Sequence, residues 1–237
     1  MILLGLLNCF LHLSGTQKPP FIIRKYGDSV NNEIKCSHNI TDYNFILWYK
    51  QDRGKSLKLL GYLNNNFPNF EEDLEERIRF DGDGRKESTL RVTDLNFNDS
   101  ALYFCAATYF GQGTKLTVLE TGREPIPPTV KLFKPSAKEG DRTNKKTLVC
   151  LASDFYPDHV SVIWSINGNR HEGSTDSAAQ QDGSFYRITS RLTVNAEQWH
   201  NPDNSFKCEV NFFDGKTTIT HQKTLKGVKG TCAFTQL

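Results

Sequence analysis

The chain has 237 residues, a formal net charge of +2 and 37% hydrophobic residues, with 16 Phe and 8 Tyr. That length suits two domains of about 100 residues each, with enough apolar content to fill two small cores. Lysines and arginines are spread along the chain without a basic block, which argues against a nucleic-acid surface, and no Cys-x-x-Cys or Cys/His cluster has zinc spacing.

The first 13 residues, MILLGLLNCFLHL, are almost wholly apolar. The run is too short for a bilayer span of about 20 residues, and Ser14 and Gly15 follow it. Residues 1–15 read as a secretory signal peptide, cleaved between positions 14 and 18, although a basic n-region and an A-x-A site are lacking. Gln17-Lys18-Pro19-Pro20 breaks whatever structure precedes it. Secretion permits disulfides. The cysteines are 9, 36, 105, 150, 208 and 232; Cys9 leaves with the signal peptide, so the remaining five leave one unpaired.

Short alternating strands then follow in order: EIKC (33–36), FILWY (45–49) and STLRVTDL (88–95). The segment 120–128, ETGREPIPP, reads as a linker kept extended by its prolines. TLVC (147–150), VSVIW (160–164) and YRITSRLTV (186–194) are again strand-like, and NAEQWHNPD (195–203) suits a short helical turn. Asp214-Gly215 inside NFFDGKTTI (211–219) signals a hairpin. Cys36 is followed by Trp48 after 12 residues and Cys105 after 69; Cys150 is followed by Trp164 after 14 and Cys208 after 58. Twice-repeated Cys…Trp…Cys among short strands is the immunoglobulin-fold pattern. The expected class is therefore all-β, two immunoglobulin-like sandwiches in tandem. The expected bridges are Cys36–Cys105 and Cys150–Cys208, each stabilising by roughly 4 kcal/mol in the chain-entropy model. Tyr103 stands where a tyrosine corner is expected, and Phe206 takes the equivalent place in the second domain.

WYKQ (48–51), DSALYFCA (99–106) and FGQGTKLTVL (110–119) resemble an immunoglobulin variable domain with its joining segment. KCSHN (35–39), LGYLNNNFPNFEED (60–73), DFYPDHVSVIWSINGNRHEGSTD (154–176) and WHNPDNSFKCEVNFF (199–213) resemble T-cell receptor beta chains. On that resemblance, 17–119 is the variable domain, 129–227 the constant domain and 228–237 the start of a connecting peptide. The resemblance implies an antigen-recognition chain on the extracellular side of the plasma membrane, reached by the secretory pathway. Its partners would be a disulfide-linked T-cell receptor alpha chain, a peptide–MHC ligand and associated signalling subunits. Two features depart from the family. The loop between the last two strands shrinks to Asp214-Gly215-Lys216, which points to a non-mammalian vertebrate such as a bony fish, and no 18-residue apolar run supplies a membrane helix. The latter means either a truncated sequence or a soluble product. Two competing readings stay open. FGQGTKLTVL suits an antibody light chain equally well, but WYKQ, the constant-domain stretches and the five residues after Cys232 speak against one. A soluble two-domain binding protein would not need a joining-like segment.

The resemblance also assigns roles. The antigen-binding loops are expected at His38, Asn39, Ile40, Thr41, Asp42, Tyr43 and Asn44; at Leu63, Asn64, Asn65 and Asn66; and at Ala106, Ala107, Thr108 and Tyr109. The last loop is only four residues long, so Tyr109 is its one large side chain, touching antigen or packing on the partner domain. Asp81–Lys86 is either a fourth, lateral loop or an ordinary hairpin turn. Strand alternation about Trp48 aims Tyr49 and Gln51 at a partner domain; the family adds Leu57, Leu59, Phe104 and Phe110. Cys232 would form the interchain bridge, and Arg79 with Asp99 a buried ion pair. Asn39 and Asn98 open glycosylation sequons. No H-E-x-x-H, G-x-S-x-G or phosphate loop occurs, so no catalytic residue, metal or cofactor is expected.

Overall fold

The computed structural model describes residues 15–54, 56–71, 74–108, 110–139 and 144–229. The chain divides into two units between Arg123 and Glu124.

The first unit contains β1 (Thr16–Lys18), β2 (Phe21–Lys25), β3 (Val30–Ser37), β4 (Phe45–Gln51), β5 (Lys58–Asn64), β6 (Phe67–Phe70), β7 (Ile78–Asp83), β8 (Glu87–Val92), β9 (Ala101–Ala106) and β10 (Thr114–Leu119). They form a four-stranded sheet in the order β1-β3-β8-β7 and a six-stranded sheet in the order β2-β10-β9-β4-β5-β6. Alternation sends Ser88, Leu90 and Val92 of β8 inward and Thr89 and Arg91 to the other face. The inner faces meet on the Cys36–Cys105 disulfide. Trp48 lies beside it, stacked on Phe80 at 6.5 Å, and its indole N–H donates to Ser88 Oγ at 3.0 Å, which satisfies the one polar atom the ring carries into the core.

Below this core, Tyr103 Oη donates to the Asp99 carbonyl at 3.0 Å, the expected tyrosine corner. Burial first, and then the nearby Asp99 carboxylate, push the phenol well above its ordinary pKa, so it stays a donor. The ion pair expected of Arg79 is made by Arg77 instead: its Nη2 sits 2.6 Å from Asp99 Oδ2. Arg77 stands in the turn before β7, where its Nη2 also donates to the Thr93 and Asp94 carbonyls, whereas Arg79, within β7, lies over the Phe70 ring at 5.5 Å and near Glu75.

The second unit contains β11 (Thr129–Phe133), β12 (Lys145–Phe155), β13 (Val160–Ile166), β14 (Asn169–His171), β15 (Ser174–Thr175), β16 (Gln180–Asp182), β17 (Phe185–Asn195), α1 (Ala196–Trp199), β18 (Ser205–Phe213) and β19 (Thr218–Lys226). One sheet runs β11-β12-β17-β15 with β16 also on β17; the other runs β14-β13-β18-β19. Their core is the Cys150–Cys208 disulfide with Trp164, whose indole donates to Ser190 Oγ at 2.8 Å. Phe206 is fully buried and fills its place without a hydroxyl. The expected helical turn is α1, closed by a capping box in which Asn195 and Gln198 each bond the other's backbone N–H. Asp214 Oδ1 accepts from the Lys216 and Thr217 N–H groups at 2.7 Å each, which closes the β18–β19 hairpin and holds the carboxyl below its ordinary pKa. The segment read as a linker is docked in its second half: Ile126 and Tyr156 exchange two backbone hydrogen bonds.

Candidate functional site

One end of the first unit gathers four chain turns; main-chain hydrogen bonds knit three of them together, and the fourth is tied where Tyr43 Oη donates to the Ala107 carbonyl at 3.2 Å. Asn65 N–H donates to the Asn44 carbonyl (2.9 Å), Gly84 N–H to the Asn65 carbonyl (2.7 Å), and His38 N–H to the Lys86 carbonyl (2.9 Å). His38 is the hub. Its Nδ1 accepts from Ile40 N–H at 3.2 Å, so Nε2 carries the proton and donates to the Gly84 carbonyl at 2.9 Å. Gly84 has a packing reason as well, since a Cβ there would fall 2.4 Å from the Asn44 carbonyl oxygen.

This geometry corrects three expected contact residues. His38 is buried and positions the loop, so Asn39, Thr41, Asp42 and Asn44 are left as its exposed members. Leu63 is 1% exposed and belongs to the core. A bulge at Leu60 is the cause: Tyr49 pairs with Leu59 while Trp48 pairs with Gly61, so the parity of β5 flips and Leu63 turns inward. The exposed turn is narrower, carried by Asn66 with Asn64 and Asn65 half-buried. Ala106 is the buried last residue of β9, bridged to Phe110, so the third loop is only 107–109. Ala107 is half-buried and Thr108 exposed; Tyr109 lies outside the described residues, as do Cys232 and the expected signal peptide through residue 14.

Asp81–Lys86 is a β7–β8 hairpin, with Asp81–Asp83 in β7 and Asp83 paired with Glu87. Arg85 bonds both Asp83 carboxylate oxygens (Nε at 2.9 and 3.1 Å, Nη2 at 2.7 Å). These bonds hold the carboxyl at about 2, below its ordinary 3.8. A depressed folded pKa gives a contribution present above the ordinary value and lost as pH falls toward about 2. Carboxyl-carbon NMR should find that low midpoint for Asp83, and Arg85→Ala should return it to the ordinary range. An ordinary midpoint in the native chain would show that the bidentate pair does not form in solution.

A residue without local signal in the sequence organises the third loop. Gln17 of β1 is buried. Its Nε2 donates to the Tyr103 carbonyl (2.7 Å) and Thr114 Oγ1 (3.1 Å), and its Oε1 accepts from Cys105 N–H (2.9 Å). Gly111 must be glycine because a Cβ there would meet Gln17 at 2.9 Å; Gly113 combines φ +84° with the Phe104 ring 2.6 Å from where its Cβ would stand.

The outer face of the six-stranded sheet carries the expected pairing residues. Tyr49 and Phe110 have ring centroids 5.3 Å apart, and Phe104 and Phe110 6.3 Å. Gln51 and Leu59 are half-buried, while Leu57 and Phe110 are exposed. The same face continues through Phe45, Leu47, Tyr62 and Phe67, for which the sequence carries no local signal. Asn39 and Asn98 are both exposed, as sugar attachment requires. No helix among the described residues is long and apolar enough to cross a membrane.

Residues 18–119 match the immunoglobulin V-set domain family and residues 130–214 the immunoglobulin C1-set domain family. A viral T-cell receptor beta chain-like protein of feline leukemia virus is 38% identical over 215 residues, 83% of this chain and 66% of that protein. The C region of the T-cell receptor beta chain of Oryctolagus cuniculus is 50% identical over 93 residues, 36% of this chain and 52% of the region. The C region of the T-cell receptor beta-2 chain of Mus musculus is 48% identical over 93 residues, 38% of this chain and 54% of the region. A crystal structure of a chicken TCR superposes with a TM-score of 0.78 at 34% identity, covering 91% of this chain and 100% of that one. The chain thus spans 66% of the viral relative's length and 52% and 54% of the rabbit and mouse regions.

Proposed function

The chain belongs to the T-cell receptor beta chain family, and from that premise we propose that it pairs with an alpha chain and binds a peptide held by an MHC molecule. The observation that carries this reading is the fused loop end. Three turns share main-chain hydrogen bonds, so Asn39, Thr41, Asp42, Asn44 and Asn66 stand on a braced platform instead of on independent loops. Polar, adaptable side chains on a rigid support are what a paratope uses. With only three residues between Ala106 and Phe110, the first and second loops carry most of the contact. Cys232 would tie the two chains, a glycan at Asn98 would shield the surface while one at Asn39 would mask part of the first loop, and signalling would pass through separate subunits. Catalysis is no part of this proposal. The antibody light-chain alternative is disfavoured by the match of the second domain to beta C regions.

The pairing face is tested by co-secreting the chain with an alpha chain from the same animal. Gln51→Glu with Phe110→Ala places a charge and a void on that face and should weaken pairing about tenfold or more. Undiminished heterodimer recovery on titration would refute this interface. Peptide–MHC recognition is tested separately, by tetramer binding before and after grafting a longer third loop; unchanged recognition would remove that loop's limiting role.

A further inference from the structure

We infer that an N-linked glycan on Asn98 is a packing element of the first unit, with its first sugar seated on an exposed pair of aromatic rings, Tyr26 and Phe97. The inference rests on passage through the secretory pathway, which is part of the reading above, and not on alpha-chain pairing. Tyr26 follows β2, and Phe97 opens the 3-10 turn Phe97–Asp99. Their ring centroids lie 5.2 Å apart, yet Tyr26 is 55% and Phe97 51% exposed. The two turns are locked together. Gly27 N–H donates to the Leu95 carbonyl at 2.8 Å, and Leu95 N–H to the Asp28 carbonyl at 2.9 Å. The rings therefore stand on a shared, hydrogen-bonded base. Asn98 is the next residue after Phe97, opens the sequon Asn98-Asp99-Ser100 and is exposed. Its backbone is held on both sides, the N–H by Asn96 Oδ1 at 2.9 Å and the carbonyl by Lys50 Nζ at 2.5 Å.

Three observations select the sugar as occupant. The first is area. Two half-exposed aromatic side chains offer roughly 200 Å², far below the roughly 800 Å² per partner of a stable protein interface. A ligand tethered one residue away needs much less, because the tether raises its effective concentration. The second is chemistry. A pyranose turns C–H groups toward an aromatic π face and keeps its hydroxyls in water. Asn98 also borders a cleft lined by Lys50, Asp52, Lys58 and Arg77, but those charges suit hydroxyls and leave the C–H face uncovered. The third is contrast. Asn39, the other sequon, has buried His38 and half-buried Ile40 as chain neighbours, so a glycan there adjoins no such exposed ring. The oligosaccharide comes from a polyprenyl diphosphate donor: the Asn98 Nδ2–C1 bond forms as the C1–O bond to the diphosphate breaks, and the amide loses one proton. Seated on the rings, the sugar ties the turn after β2 to the turn before β9 and withholds an apolar spot from other chains.

The test uses the full-length protein secreted from animal cells. Glycopeptide mapping should find Asn98 occupied, and an endoglycosidase should release that glycan from the native chain about fivefold more slowly than from Phe97→Ser. Asn98→Gln should speed unfolding about fivefold, but only about twofold or less when Phe97→Ser is already present. Trimming the glycan to its first sugar should leave the unfolding rate unchanged. Tyr26→Ser repeats the cycle if Phe97→Ser fails to fold. A glycan effect that survives both ring variants overturns the inference. So does an effect lost instead in Lys58→Ala, which would seat the sugar in the cleft. A dimer of Asn98→Gln that Phe97→Ser abolishes, with no change in unfolding rate, overturns it too and makes a second copy the occupant. Bare Asn98 in a secreted chain overturns this inference alone, whereas a chain held in the cytosol and bare at both sequons overturns the secretory reading with it.

Discussion

Gln17→Leu is expected to destabilise the variable domain by about 3 kcal/mol, although the substitution lies in a three-residue edge strand. The amide group reaches Tyr103, Cys105 and Thr114, which sit on two different strands, and it is buried where water cannot replace it. Leu has similar bulk and no polar atoms, so it strands the Cys105 N–H and the Tyr103 carbonyl. Each buried orphan costs roughly 1–3 kcal/mol. Thr114 loses less, because its hydroxyl still donates to the Pro19 carbonyl at 2.6 Å. Gln17→Glu should do no better: the carboxylate keeps an acceptor for Cys105 N–H but turns an oxygen toward the Tyr103 carbonyl. Hydrogen exchange at the Cys105 amide in the full-length protein reads the effect locally, and urea unfolding reads it globally. A loss below about 1 kcal/mol would mean that water enters and replaces the amide.

Asp99→Ala is expected to cost about 2 kcal/mol, and Arg77→Ala somewhat less. The carboxylate accepts from Arg77 Nη2 at 2.6 Å and from Asn96 N–H at 2.8 Å, the second bond capping the 3-10 turn Phe97–Asp99. The Asp99 side chain is 10% exposed, but that of Arg77 is 40% exposed, so solvent screening removes much of the pair's Coulomb energy. Arg77 also donates to the Thr93 and Asp94 carbonyls, which keeps its own deletion from being free. Arg79→Ala is the control and should stay within about 0.5 kcal/mol. If Arg79→Ala proved the more damaging, the assignment of the ion pair to Arg77 would be wrong.

The sequence by itself determined a good deal. Two Cys…Trp…Cys patterns with alternating strands specified two sandwiches, both disulfides, the buried tryptophans and the tyrosine corner, because each depends on spacing and period. Tyr49 and Gln51 were legible on one face for the same reason, and Phe104 and Phe110 joined them only through the family resemblance; no irregularity interrupts β4 against β9. Tertiary structure decided the rest wherever parity shifts or partners are remote. The bulge at Leu60 turns Leu63 into the core and Tyr62 out onto the outer face of the six-stranded sheet, and no local pattern announces a one-residue insertion opposite a partner strand. Arg77 and Arg79 are equal candidates for Asp99 in composition, and only the closing of the turn before β7 on the Thr93 and Asp94 carbonyls separates them. Gln17 meets partners 86 to 97 residues away, and His38 meets Gly84 46 residues away. Such bonds form when strands and turns far apart in the chain close on one another, and their energy comes from burial that exists only in the assembled sandwich.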